Sequence, residues 1–365
     1  MTSRRKSTYV SLLMAAPKLI DLHRDDERFQ LLIANDIASA TGSLDYTAPD
    51  RLLGRVNNDL TGVDQSATSA EGLLAIVEKA LTHRMVQQRD AFEVNGAFEL
   101  TIQTRNIGQV YDRTGAQLDI RVRRSSHEKL PDPAGLEDLR RTLVLLADAI
   151  TSTGAQRVQV GGGAHLSVAF ALGIAMPSSR IGHLEVVDQR SETWASGPEA
   201  AVPASPALTF DVTASQAAPS ASERPRVAVY VDLLATQSDS AWDRYLDERC
   251  ATLAAYGVIR ARQRGLINPS KAGALASEIA GLIRQLSGAY SNARVDLLLA
   301  VPFGLAVLIG RLSNTLRIRL FEWDDTDEEG PDMRAQYVPC LEVRAGATAG
   351  PISAVLLPRC YPSGV

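Results

Sequence analysis

The sequence predicts an α/β protein: a small, mostly α-helical domain followed by two similar halves in which strands alternate with helices. Three observations predict it. Up to about residue 95 the apolar residues recur at helical spacing. From Ala97 onward, stretches such as FELTIQT and QLDIRVR alternate apolar and polar residues, as half-buried strands do. A strand, turn, helix, strand order then occurs once before Trp194 and again after Pro225.

Taken in order, Leu12, Leu13, Ile20 and Leu22 mark a first helix. Phe29, Leu32, Ile33 and Ile37 recur at i, i+3, i+4 and i+8, an amphipathic face. Asp50 caps a third helix carrying Leu52, Leu53, Val56 and Leu60. Thr68-Ser69-Ala70-Glu71 is a capping box opening a fourth, through Leu73, Leu74, Ile76, Val77 and Leu81. The first half then reads as strands, a helix over Gly135–Ile150, a strand at Arg157–Val160, a glycine turn, a helix at His165–Ala175 and a strand at His183–Val187. That alternation implies a parallel sheet covered on both faces.

Residues 195–225 are rich in Ala, Pro and Ser, with one short strand candidate at Leu208–Val212. The second half predicts a strand at Arg226–Leu233 and helices at Ser240–Arg264 and Ser270–Leu286. A strand at Arg294–Val301, a helix at Phe303–Leu312 and a strand at Leu316–Trp323 follow. After the acidic run DDTDEEGPD, QYVPCLEV and ISAVLL are the last strands. The expected domains are therefore 1–95 (helical), 96–200 (first half), 201–225 (connector) and 226–365 (second half).

Bulk properties bound the function. A chain of 365 residues exceeds one ordinary core. With 45% apolar and 22% charged residues it has globular composition. A net charge of −4 argues against coating long nucleic acid, yet allows a small anion in one local pocket. Three scattered cysteines, Cys250, Cys340 and Cys360, point to a reducing compartment and away from a disulfide scaffold or zinc site. The N-terminal MTSRRK is followed by an apolar stretch too short for a signal peptide, and Leu297–Gly310 is too short to span a bilayer. A cytoplasmic location without membrane contact or metal is expected.

The halves echo each other in detail. After the strand RVQV comes GGGAHLSVAFALG; after VDLLLAV comes PFGLAVLIG. Aligning Ala169 with Ala306 places Ser167 on Gly304 and Gly173 on Gly310. Small residues at that spacing share a helical face and let each helix lie close to the sheet. In open α/β sheets ligands sit beyond the carboxyl ends of the strands, and amides at a helix start attract anions. Gly161, Gly162 and Gly163 would let a phosphate approach, with His165 and Ser167 adding hydrogen bonds; a tight turn without ligand is the alternative. GGGAH departs from G-x-G-x-x-G, so no dinucleotide cofactor is expected.

From about residue 100 the chain resembles a SAVED domain, the sensor module of bacterial anti-phage defence of the CBASS type and of some type III CRISPR systems. The resemblance is carried by VGGGAHLSVAFALG with Trp194 downstream, LLLAVPFGLAVLIG, RIRLFEW and QYVPCLEV. It implies two fused CARF-like Rossmannoid halves. It also implies a cyclic tri- or tetranucleotide ligand, such as a cyclic oligoadenylate, and head-to-tail assembly with the ligand between protomers. A heterologous contact that fails to close builds a filament. Such proteins usually carry a nuclease, TIR, protease or membrane effector. Residues 1–95 show no HNH or PD-(D/E)xK pattern and no cysteine, and His23 and His83 read as surface residues. The helical domain is therefore expected to contact a separately encoded effector, and no catalytic residue is assigned.

Candidate ligand contacts follow. Arg121, Arg123, Arg124, Ser125 and Lys129 form a basic stretch after QLDIRVR that would grip phosphate, or else a solvated edge. Trp194 would stack on a base or pack in the core. Ala235, Thr236 and Gln237 follow the strand opening the second half, and Pro302 and Phe303 occupy its strand-to-helix turn. Tyr337 would pack rather than stack, Trp242 and Trp323 read as structural, and Arg311 and Lys271 as charges facing a partner. Two other functions fit the same residues. One is a ring nuclease using His165 or Lys129; the other is an unrelated nucleotide- or sugar-binding α/β protein with its cleft inside a monomer.

Overall fold

The computed structural model describes residues 97–104, 118–122, 129–153, 157–188, 190–196, 206–215, 224–236, 238–263, 265–324, 335–344 and 350–357. The expected helical domain at 1–95 lies outside them. Two compact units result. Of the smaller, the described parts are the first half of β1 (Ala97–Gln103), β2 (Leu118–Arg121) and the last turns of α1 (Pro133–Thr153). The larger holds the described residues of the ranges 101–111, 122–147 and 157–365.

Within the larger unit the first sheet runs β1, β3 (Arg157–Gly163), β4 (His183–Val187) and β5 (Thr193–Ser196). Here β3 and β4 are parallel and β5 returns antiparallel. The second sheet runs β12 (Ile352–Val355), β11 (Gln336–Arg344), β10 (Arg317–Asp324), β9 (Arg294–Ala300), β7 (Arg226–Asp232), β8 (Ala255–Ala261) and β6 (Leu208–Ala214). Its β7, β9 and β10 are parallel neighbours and β11 is antiparallel to β10. Thus β1-β3-β4-β5 and β7-β9-β10-β11 repeat one order. Central β7 and β9 are almost wholly buried and, apart from the buried Asp296, mostly apolar on both faces, as parallel strands sandwiched by helices must be.

Two helices join the sheets. Helix α2 (Leu166–Ala175) is apolar all round and buried from Ser167 onward, and α5 (Phe303–Arg311) is buried from Gly304 onward. A helix without a polar face has to be enclosed. The sequence echo places its small residues against the sheet; the structure instead presses one helix on the other. A Cβ on Gly173 would lie 2.0 Å from the carbonyl oxygen of Val307, and one on Gly310 would lie 2.1 Å from that of Phe170. Phe170 and Val307 are themselves equivalent when Ala169 is aligned with Ala306. The contact is therefore reciprocal, as a local pseudo-two-fold requires. Buried Arg311 adds bonds from its guanidinium to the carbonyls of Ile181 and Gly182, tying α5 to the segment before β4.

Two further sequence expectations change. The helix expected over Ser240–Arg264 stops early: α3 (Ser240–Arg249) gives way to a 3-10 turn and then to β8. The AYGVIRA segment holds β-branched and aromatic residues, and its fit between β7 and β6 overrides local helix propensity. The glycine triplet is strand, not turn. Gly161 pairs with Val187 in β4, and the carbonyl of Gly163 accepts from the Thr104 amide at 3.3 Å. Gly162 has a φ of 107° and no room for a Cβ, which would meet the Ile102 oxygen at 2.1 Å. The strand candidate Leu208–Val212 is β6, an edge of the second sheet. Helix α4 (Ala272–Ala289) covers a face of that sheet, as expected.

Candidate ligand-binding site

The start of α2 is closed by the protein itself. His165 is fully buried; Thr104 Oγ1 accepts from its backbone amide at 2.8 Å and contacts its Nδ1 at 2.8 Å. The Ser167 amide, one of the free donors of a helix start, donates to Glu322 Oε1 of β10 at 2.6 Å. Ser167 Oγ meets Cys340 Sγ of β11 at 3.2 Å. Burial and the nearby Glu322 push the Cys340 thiol well above its usual range. The anion that the sequence reading expected at this helix start is thus supplied by a carboxylate of the chain.

The equivalent start of α5 is closed by a ring. Trp194 is buried, and a Cβ on Gly304 would stand 2.6 Å from its Cγ. The indole Nε1 donates to Asp188 Oδ2 at 3.0 Å. So β11 of one half reaches α2, and β5 of the other reaches α5, again reciprocally. Pro302 and Phe303 remain half-buried at this turn. Tyr337 is buried, edge-on to Tyr230 with ring centroids 6.0 Å apart, the packing role expected of it.

The carboxyl ends of β7, β8 and β10 are more open. Leu234, Ala235 and Thr236 are exposed after β7. Asp232 closes β7 and is almost wholly buried, with Oδ2 3.9 Å from Arg260 Nε. Burial raises its pKa above the usual carboxylate range, and Asp239 adds to that. Arg260 also pairs with Asp239 before α3. Tyr230 donates from its hydroxyl to the Ser238 carbonyl at 3.0 Å, and burial pushes its phenol up. Trp242 is structural as expected, stacked on Tyr245 at 5.5 Å. Trp323 is not: it is 42% exposed, with Lys129 Nζ 5.7 Å from its ring centroid.

Of the expected contacts, Lys129, Ala235, Thr236 and the partly covered Phe303 lie at accessible positions of the larger unit. Gly162, Gly163, His165, Ser167 and Trp194 are buried, and Gly161 is partly covered within β3. Arg121 ends β2 in the smaller unit, while Arg123, Arg124, Ser125 and Gln237 lie outside the described residues. Sequence reasoning missed Asp232, Arg260 and Trp323. Each stands at or beside the carboxyl end of a strand, the one signal that would have found them. Among the described residues no three His, Cys, Asp or Glu side chains gather to hold a metal, and no helix is long and apolar enough to cross a membrane.

A family model described as the SMODS-associated and fused to various effectors sensor domain (SAVED) matches residues 139–343. Two solved structures of an Acinetobacter baumannii Cap4 SAVED/CARF-domain containing receptor are similar in fold. The one with the cyclic trinucleotide 2'3'3'-cAAA superimposes with a TM-score of 0.50 at 11% identity, covering 82% of this chain and 67% of that one. The one with 3'3'3'-cAAA gives 0.50 at 12% identity over the same shares. No curated protein sequence matches the chain.

Proposed function

The chain belongs to the SAVED family of sensor domains, and from that premise we propose that it is a receptor for a cyclic oligonucleotide of the cyclic tri- or tetra-adenylate type. The observation that carries this reading is the repeated strand order joined through Gly173 and Gly310. The fusion leaves the carboxyl ends of β7, β8 and β10 as the accessible ligand face. Similar folds hold cyclic trinucleotides in the Acinetobacter receptor structures, which supports the ligand class.

On this reading a base stacks on Trp323, Lys129 and the arginines Arg123 and Arg124 neutralise phosphates, and Thr236 hydrogen-bonds a base edge. Because both helix starts are covered, a neighbouring protomer supplies the opposite wall of the site. Ligand binding therefore drives head-to-tail assembly, and residues 1–95 pass the signal to a separately encoded effector in the cytoplasm. His165 is unavailable as an assisting base because it is buried on Thr104, which leaves Lys129 as the base of the alternative ring-nuclease reading.

Light scattering and calorimetry with cyclic tri- and tetra-adenylate test the proposal. A rise in molar mass on adding one of them is expected, together with roughly tenfold weaker binding in Trp323→Ala. Absence of both binding and size change with every cyclic oligonucleotide would falsify the assignment.

A further inference from the structure

The amino ends of the second sheet carry a cavity of opposite character. Arg224 precedes β7, Arg317 opens β10, Arg344 closes the antiparallel β11 and Arg284 projects from α4. Together with Asn292 and Asn314 they line a concavity of about 650 Å³ to which, among the described residues, no carboxylate contributes.

The neighbouring arginines are already paired: Arg294 and Arg319 with Glu342, Arg226 with Asp296. By contrast, the side chains of Arg224, Arg317 and Arg344 make no hydrogen bond or ion pair with any described residue. Among the described residues Arg284 donates only to the Ala280 carbonyl of its own helix. Desolvation, and then the like charges of Arg224, Arg344 and Arg294, lower the pKa of Arg317. Like charges gathered in one hollow repel, and a net charge of −4 makes this a local concentration rather than an overall basic surface.

We propose that this cavity binds a small polyphosphate: two or three linked phosphates, free or as the tail of a nucleoside triphosphate. Guanidinium forks take phosphate oxygens in pairs, and four of them match the three or four negative charges of such a chain. The volume falls in the range of about 300–1,000 Å³ typical of small-molecule sites, and the concave shape disfavours a long duplex. The site lies at the ends of the strands opposite to the proposed cyclic-oligonucleotide face, so it does not depend on the receptor reading.

The test is calorimetry and thermal shift on the full chain with tripolyphosphate, ATP and a single-stranded oligonucleotide. Saturable binding of tripolyphosphate with a rise in Tm is expected. Arg317→Ala with Arg344→Ala should weaken it about tenfold or more while circular dichroism stays unchanged. Arg317→Lys with Arg344→Lys guards against a folding defect, since it keeps the charge and loses the forks; partial weakening is expected. Equal affinity for ATP and tripolyphosphate assigns the site to the phosphate chain alone, and tighter ATP binding adds the nucleoside. The proposal is overturned if neither compound binds, if binding is the same in the Ala double variant, or if the oligonucleotide outcompetes both at these arginines. Failure with cyclic oligoadenylates would strike only the receptor reading.

Discussion

The starts of α2 and α5 occupy equivalent places in the two halves and are closed by different chemistry. At α2 the Ser167 amide is met by the Glu322 carboxylate and its hydroxyl by the Cys340 thiol. At α5 the equivalent Gly304 lies beneath the Trp194 ring. One end is sealed by hydrogen bonds, the other by shape. The difference shows that a helix start after a parallel strand is an anion site only while no group of the chain has claimed it. The seam beyond the starts is the same on both sides, because Gly173 and Gly310 each face the other helix's backbone. Symmetry survives where backbones touch and is lost where side chains decide.

Substitutions in the seam should have the largest effect. Gly173→Ala and Gly310→Ala each drive a Cβ into a backbone carbonyl oxygen, so urea unfolding should show a loss of about 4 kcal/mol or more for either. Near-equal losses would establish the reciprocity, and a gap of several kcal/mol between the two would break it. Next comes Arg311→Ala. It strips the Ile181 and Gly182 carbonyls of their donor inside the interface, and about 2–3 kcal/mol should be lost in the same assay. Glu322→Gln keeps an acceptor for the Ser167 amide but removes the charge, and about 1 kcal/mol is expected.

Outside the seam the effects shrink and change sign. Gly281 on α4 has open space around its Cβ position, so Gly281→Ala should stabilise by about 0.5–1 kcal/mol. At Asp232 burial raises the folded-state pKa above 3.8. A raised carboxyl pKa favours folding below the unfolded value and is a liability once pH exceeds the folded one. Asp232→Asn should therefore raise Tm modestly at pH 7, with the gain fading as pH falls toward 3.8. A gain that grew on acidification would contradict that sign.

Much of the architecture was legible because it is locally encoded. The sequence places the strand at His183–Val187 to the residue, and the mostly apolar β7 and β9 within a residue or so of their ends. β8 was lost to an overextended helix because its seven residues follow α3 with only a short turn between them. The candidate site was less legible. Trp323 reads as core by its chemistry, since hydrophobicity does not report which face of a strand meets water. His165 reads as a ligand contact by its place after three glycines, yet its partner Thr104 lies 61 positions earlier.

The sequence by itself determined the order of elements and the spacing that matches Gly173 to Gly310, because periodicity and the absence of a side chain act at short range. Only the tertiary structure decided that those glycines meet another helix rather than a sheet, and that Glu322 rather than a ligand serves the Ser167 amide. Those partners lie as far as 155 positions apart, and nothing in the local pattern of either segment specifies a contact that only packing brings together.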